Sequence, residues 1–185
     1  MRSLLSVVLC VGVAAMATAE QIDNPQYAQW AKFKVGAFVT LKSTTDMGEF
    51  KTETEMTTKL ISLTAEMAVT ELTGSTIAMG NKVEMPPQKT EIPARMEKPE
   101  MPEGVTPEAE APKPKTSEGE EEVTVGDQTL KCKWYETVVE EGANKTVSKT
   151  WMCEAVPGSV VKSETTVEGE AKATMKTWIV SFKTE

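Results

Sequence analysis

The sequence predicts a mainly β protein. We expect an antiparallel sheet of about eight strands, curled into a half-barrel or barrel, with a short N-terminal helix and a long disordered loop rich in proline and glutamate. Three observations support this class. Segments rich in threonine and valine lie between short glycine turns, one hairpin can be aligned residue by residue, and a proline-rich stretch separates two groups of such segments.

The hairpin is the stretch LKCKWYETVVEEGANKTVSKTWMCEA, residues 130–155. Pairing the residues whose numbers sum to 285 folds this stretch at Gly142-Ala143 and sets Cys132 opposite Cys153. The same register sets Trp134 opposite Trp151 and brings opposite charges together. A shift by one residue would scatter all these pairs, so the register is well determined. Glycine as the first of two loop residues predicts a type II′ turn.

The remaining elements are predicted in chain order. Residues 24–33 form a helix that Asn24 caps, with Tyr27, Trp30 and Phe33 on one stripe. Around the hairpin, strands are predicted over residues 34–44, 49–63, 68–79, 122–126, 128–140, 159–167 and 171–184.

Residues 85–122 have a different composition. They hold eight of the ten prolines and ten glutamates against five basic residues, with no aromatic residue. Such a segment cannot bury enough apolar surface to offset its ordering entropy, which predicts a flexible loop. We therefore expect one β domain over residues 20–185, interrupted by this loop. Two separate domains are the alternative, but each half would be marginal for a core of its own.

The first residues have the features of a secretory signal peptide over residues 1–19. Arg2 is followed by an apolar run, and Ala17-Thr18-Ala19 places small residues before the expected cleavage near Ala19. The apolar run is shorter than a comfortable membrane span. We therefore predict a secreted or periplasmic protein that is not an integral membrane protein.

Charge and composition exclude several functions. Without the leader and its Arg2, 19 basic and 28 acidic residues leave a formal charge of −9, which disfavours nucleic-acid binding. The chain has no histidine, so a Ser-His-acid triad and a histidine-containing zinc site are excluded. We predict no catalytic residue, no metal and no cofactor, and hence a protein that is not an enzyme.

The paired register suggests two further features. Cys132 and Cys153 are predicted to form a structural disulfide, because export favours oxidation. The side chains of Trp134, Trp151, Trp178 and Phe182 are predicted to line one apolar interior. We expect a non-enzymatic envelope protein that binds an apolar ligand or an envelope component, such as an envelope protein, in its concave face. The alternative is a structural or interaction protein with a filled core and an acidic proline-rich tether.

Three stretches carry a resemblance: NPQYAQWAKFKVGAFV, KCKWYE and KTWMCEAVPGSVVK. They resemble segments of uncharacterised secreted bacterial β-rich proteins, and are distantly similar to the lipoprotein-carrier type of half-barrel in the bacterial envelope. The resemblance implies a curled antiparallel sheet with helical cover. It implies no catalytic residue.

The predicted disulfide can be checked by alkylation of the secreted chain in denaturant. We expect neither Cys132 nor Cys153 to be labelled before reduction and both to be labelled after it. A Cys153→Ser variant is the control, since it should leave Cys132 open to labelling. Labelling of both thiols without reductant would contradict the bridge.

Overall fold

A computed structural model describes residues 21–98, 114–169 and 172–185. The predicted signal peptide, residues 1–19, lies outside the described residues. So does the middle of the predicted proline-rich loop, residues 99–113. All structural statements below concern the described part of the chain.

The described residues form one helix and eleven strands. The helix α1 spans Pro25–Trp30. The strands are β1 Gln21–Asp23, β2 Phe38–Met47, β3 Phe50–Leu63, β4 Met67–Ala78, β5 Asn81–Pro93, β6 Arg95–Glu97, β7 Lys115–Val125, β8 Gln128–Glu141, β9 Asn144–Met152, β10 Val160–Glu168 and β11 Ala173–Lys183.

Nine of these strands build one antiparallel sheet in the order β5-β4-β3-β2-β11-β10-β9-β8-β7, and β1 pairs with β6 separately. The predicted antiparallel β architecture is confirmed. Closure into a barrel, one of the two predicted shapes, is wrong, because β5 and β7 remain the edges of an open sheet. The β7–β8 turn nevertheless approaches β11, since Val125 and Gln128 share a small cleft with Phe182.

The hairpin of β8 and β9 has the predicted register from Lys133 and Met152 to Glu141 and Asn144, with Trp134 opposite Trp151. Gly142 has φ 59°. Among the described residues, only Met79 and Ser159 combine positive φ with a side chain, so Ala143 keeps a negative φ. This combination fits the type II′ turn.

The prediction of one loop over residues 85–122 is wrong at both ends, where β5, β6 and β7 are strands. Both misread segments contribute to the edges of the large sheet. Pro86 and Pro87 fall at a register shift in edge strand β5, where a missing N–H costs little. Charged residues on edge strands also oppose pairing with another chain, so a composition typical of loops fits these two strands.

The segment around α1 covers one end of the sheet. The Asn24 side chain accepts a hydrogen bond from the Gln26 backbone N–H at 2.9 Å, as an N-cap does. The Tyr27 hydroxyl donates to the Thr64 carbonyl oxygen at 2.6 Å. Trp30 is buried, so this short helix is held by packing as well as by its cap.

The buried apolar residues gather at the end of the sheet next to α1. They come from the helix segment, from all the central strands, from edge strand β5 and from the loop between β9 and β10: Trp30, Phe33, Ala37, Val39, Leu60, Ala68, Ile92, Leu130, Cys132, Trp151, Cys153, Val156, Val161 and Ile179. The opposite end, which holds the β2–β3, β4–β5 and β8–β9 turns, instead has exposed apolar side chains such as Met47 and Phe50.

A substitution at Leu60 tests whether the core lies at the α1 end of the sheet, because the Leu60 side chain is fully buried there. A Leu60→Ala change should lower the free energy of unfolding by about 2–5 kcal/mol through lost burial and the cavity left behind. Urea denaturation measures the loss. Val35→Ala, at an exposed position, is the control and should stay within about 0.5 kcal/mol of the wild type. Equal effects of the two changes would contradict the assigned core.

Candidate functional site

Three tryptophans lie in one row across the sheet. Cross-strand pairing links Trp134, Trp151, Lys162, Trp178 and Lys42 through strands β8, β9, β10, β11 and β2. We call the side of the sheet that carries this row the tryptophan face. Three of the four predicted lining residues are therefore brought together.

Phe182, the fourth predicted lining residue, lies outside this row but packs against the same buried core as Trp134, and its grouping with the tryptophans stays a prediction. Simple alternation along β11 would put residues 178 and 182 on one side. The register shifts between Ile179 and Ser181, and Phe182 then pairs with Val39, which shares a face with Leu41 and Ile179. One extra residue at a bulge reverses the facing of the residues that follow it.

Two lysines cover the tryptophan rings. Lys149 Nζ lies 4.1 Å from the ring centroid of Trp134 and 4.7 Å from that of Trp151. Lys162 Nζ lies 4.5 Å from the Trp151 ring. Cation–π contacts of this kind contribute about 0.5–1 kcal/mol at exposed sites and more when desolvated. Trp151 keeps only 4 % of its surface exposed, so its rings are screened by the protein's own side chains.

Glu121 on the edge strand β7 joins this cluster. Its Oε2 accepts a hydrogen bond from Trp151 Nε1 at 2.8 Å and lies 3.8 Å from Lys149 Nζ. One carboxylate therefore satisfies the buried indole N–H and balances the ammonium over the rings. Sequence reasoning missed this residue because it fell inside the predicted loop. The signal available was the alternation of Glu121 with Val123 and Val125.

A glycine makes room for the outer tryptophan. A Cβ added to Gly119 would lie 2.6 Å from the Trp134 ring. Since Gly119 pairs with Trp134 across β7 and β8, the ring lies over the glycine backbone. No larger residue fits there without moving the ring, which explains a glycine inside an edge strand.

The next row of the tryptophan face is charged. It runs from β5 to β7 as Lys82, Ile77, Glu53, Thr44, Lys176, Glu164, Lys149, Glu136 and Ser117. Opposite charges alternate along most of it. Lys42, in the tryptophan row, is also paired, with its Nζ 2.7 Å from Glu53 Oε1. This face is therefore closed by ion pairs as well as by lysine–tryptophan contacts.

The two cysteines lie beside the tryptophan row and are buried free thiols. Burial, and next the neighbouring Cys153, raise the pKa of the Cys132 thiol to about 11. At neutral pH this thiol is therefore protonated, and a protonated thiol is a poor nucleophile. A redox role that needs a thiolate is not supported by this environment. The structural bridge between the two cysteines stays a prediction.

The opposite side of the sheet carries hydroxyl groups, and we call it the hydroxyl face. Two neighbouring rows cross all nine strands and hold Ser or Thr at twelve of their eighteen positions. The first row contains Thr52, Thr45, Thr165, Ser148, Thr137 and Thr116, and the second contains Thr76, Thr54, Ser43, Thr177, Ser163 and Thr150. The other positions are Asn81, Ala78, Met175, Val83, Tyr135 and Glu118.

Hydrogen bonds tie several of these hydroxyls together across strands. Ser43 and Thr177 share one at 2.8 Å, and Ser148 and Thr165 share one at 3.1 Å. Thr54 and Thr76 share a third hydrogen bond at 3.1 Å. Cross-strand Thr and Ser pairs stabilise a sheet by about 0.2–1 kcal/mol each. These hydroxyls therefore stabilise the sheet, and each can still form further hydrogen bonds with a partner outside it.

The clefts beside these faces have mixed polar and apolar linings. One of about 460 Å³ lies between α1 and the ends of β8 and β9, where Lys32, Lys131, Lys133 and Glu154 are among its lining residues. Lys32 and Glu154 form an ion pair at 2.7 Å across it. Tyr135, Met152, Cys153 and Ala155 also line it, so the cleft is neither purely polar nor an apolar pocket.

The described residues carry neither a metal-ligand cluster nor a membrane-crossing helix. Within them, no three histidine, cysteine or acidic side chains converge as metal ligands would. No helix in residues 21–98, 114–169 and 172–185 combines the length and the apolar character that crossing a membrane requires. Neither a known family model nor a curated protein matches the chain.

The role of Glu121 can be tested by mutation. Glu121→Ala should lower the free energy of unfolding by about 1 kcal/mol, because the Trp151 N–H loses its acceptor. Denaturation followed by tryptophan fluorescence measures this loss. The neighbouring Glu120→Ala is a matched control, since residue 120 is exposed and alternates to the opposite face; it should change stability by less than about 0.5 kcal/mol. A cost for Glu120→Ala as large as that for Glu121→Ala would argue against the assigned contact.

Proposed function

We propose that this chain is an exported, non-enzymatic envelope protein that works as a structural or interaction protein with a filled interior. Export is supported by the leader over residues 1–19. The absence of histidine from the whole sequence supports a role without acid–base catalysis by that residue. The proposal assigns binding to an outer surface of the sheet rather than to a pocket.

The observation that carries this proposal is the cover over the tryptophan rings. An apolar ligand in the concave face would need the rings of Trp134 and Trp151 free. Lys149 and Lys162 lie over those rings instead, and Glu121 anchors both Lys149 and Trp151. A ligand would have to displace paired charges, which is unfavourable unless it restores their interactions.

Carriage of an apolar ligand is the second candidate. It is favoured by the half-buried state of Trp134 and Trp178 and by the approach of the β7–β8 turn to β11, as expected of a half-barrel. In that case the lysines would act as a movable cover. The two candidates differ in what the purified protein contains.

Native mass spectrometry of the purified secreted chain, together with uptake of an apolar fluorescent dye, separates them. A filled interior predicts the mass of the polypeptide alone and no dye uptake. Removing both covering amines, in Lys149→Ala/Lys162→Ala, should then create dye binding. Lys145→Ala, on the same face of β9 but at an exposed position, is the control and should bind none. Co-purified lipid, or dye uptake by the wild type, would overturn the filled interior in favour of carriage.

A further inference from the structure

The two faces of the large sheet differ sharply in charge. In the two hydroxyl rows, one position of eighteen is charged, Glu118 at the β7 edge. On the tryptophan face, the charged row and the tryptophan row hold ten charged residues in eighteen positions. A mature chain of formal charge −9 thus presents one broad surface almost free of charge.

Apolar side chains stand among the hydroxyls. Val83 and Met175 belong to the two rows, and they are 62 % and 49 % exposed. Tyr135 is 42 % exposed in the second row, and Met47 and Phe50 are exposed one step further along the strands. Five of the nine exposed large hydrophobic residues of the described chain therefore share this face. Depletion of charge with enrichment of aromatic and methionine side chains characterises the centre of a protein–protein interface.

The size of the face also fits an interface. Nine strands at about 4.8 Å spacing span roughly 38 Å, and the three rows from Phe50 to Val83 span four residues, about 13 Å, along the strands. This is roughly 500 Å² per partner, or about 1,000 Å² for two copies, which is the lower bound for a specific protein–protein interface. A cover of this size can exclude water from the exposed apolar groups and still leave the hydroxyls partners.

We infer that the hydroxyl face binds a second copy of this chain, packing sheet against sheet about a two-fold axis. Two chains of charge −9 repel each other wherever their charged surfaces meet. The hydroxyl face is the broad surface on which that repulsion is smallest. Because it is almost uncharged, two copies of it can meet without bringing like charges together. An isologous contact brings the same patch from both chains together. In this dimer the sheet halves away from α1, which hold the β2–β3, β4–β5 and β8–β9 turns, lie over each other. The two α1 ends then point away from the contact.

This inference rests on the proposed function, because it names the partner of the same interaction protein. Sedimentation equilibrium of the purified secreted chain over a concentration series is the experiment. The expected result is a mass of two chains for the wild type. A monomer at every concentration overturns the inference, and leaves the face to a different protein or to a glycan.

Two adjacent residues supply a matched pair of variants. Ser43 and Thr44 are neighbours on β2 that face opposite sides of the sheet. Ser43→Lys places an ammonium in the second hydroxyl row of both copies, so the mass should fall from two chains to one. Thr44→Lys adds the same charge to the charged row, between Glu53 and Lys176, and should remain a dimer. A dimer that survives Ser43→Lys, or that Thr44→Lys also dissociates, overturns the assignment of the face.

A second variant on the same face separates loss of the dimer from misfolding of Ser43→Lys. Ser163→Lys alters the same row on β10, two strands away from Ser43. Circular dichroism and thermal unfolding show which variants keep the fold, and a folded Ser163→Lys must also be a monomer. The outcome is independent of the ligand test. If the protein is a dimer that carries lipid, the filled interior is wrong and the dimer stands. If it is a monomer with the mass of the polypeptide alone, the dimer is wrong and the filled interior stands.

Discussion

The pairing of Trp134 with Trp151 is the interaction on which the rest of the sheet depends. It sets the register of β8 and β9, and strand alternation then decides which side of every neighbouring strand carries charge. Lys149 lies over both rings, and Glu121 anchors Lys149 and the Trp151 indole from the edge strand. Packing, cation–π contact and ion pairing thus converge on one point and couple β7, β8, β9 and β10.

The consequence is a sheet with two different surfaces. One face keeps lysines and glutamates in alternating cross-strand pairs, so most charges have a partner nearby. The other keeps serine and threonine, whose hydroxyls pair across strands while their β-carbons suit the pleated backbone. The buried core lies at the α1 end, which leaves the opposite half thin and its hydroxyl face uncovered by the described chain.

Sequence reasoning succeeded where partners lie close along the chain. The hairpin turn at Gly142, its register and the strand limits of β3 and β4 followed from alternation and turn residues. It failed at the edges, because Pro86, Pro87 and the glutamates of β7 have the composition of a loop. An edge strand needs partners on one side only, so that composition is tolerated there. Because most of β7 was predicted to be loop, the part that Glu121 plays in the candidate site was not predicted either.

The amino-acid sequence alone therefore determined the β class, the local hairpin and the meeting of Trp134 with Trp151. Short-range pairing depends on turn chemistry and a period of two, both of which can be read along the chain. Only the tertiary structure decided that β2 joins β11, that the sheet stays open, and that the register of β11 shifts between Ile179 and Ser181. Those outcomes depend on long-range pairing and on a single-residue bulge, and neither leaves a periodic signal in the sequence.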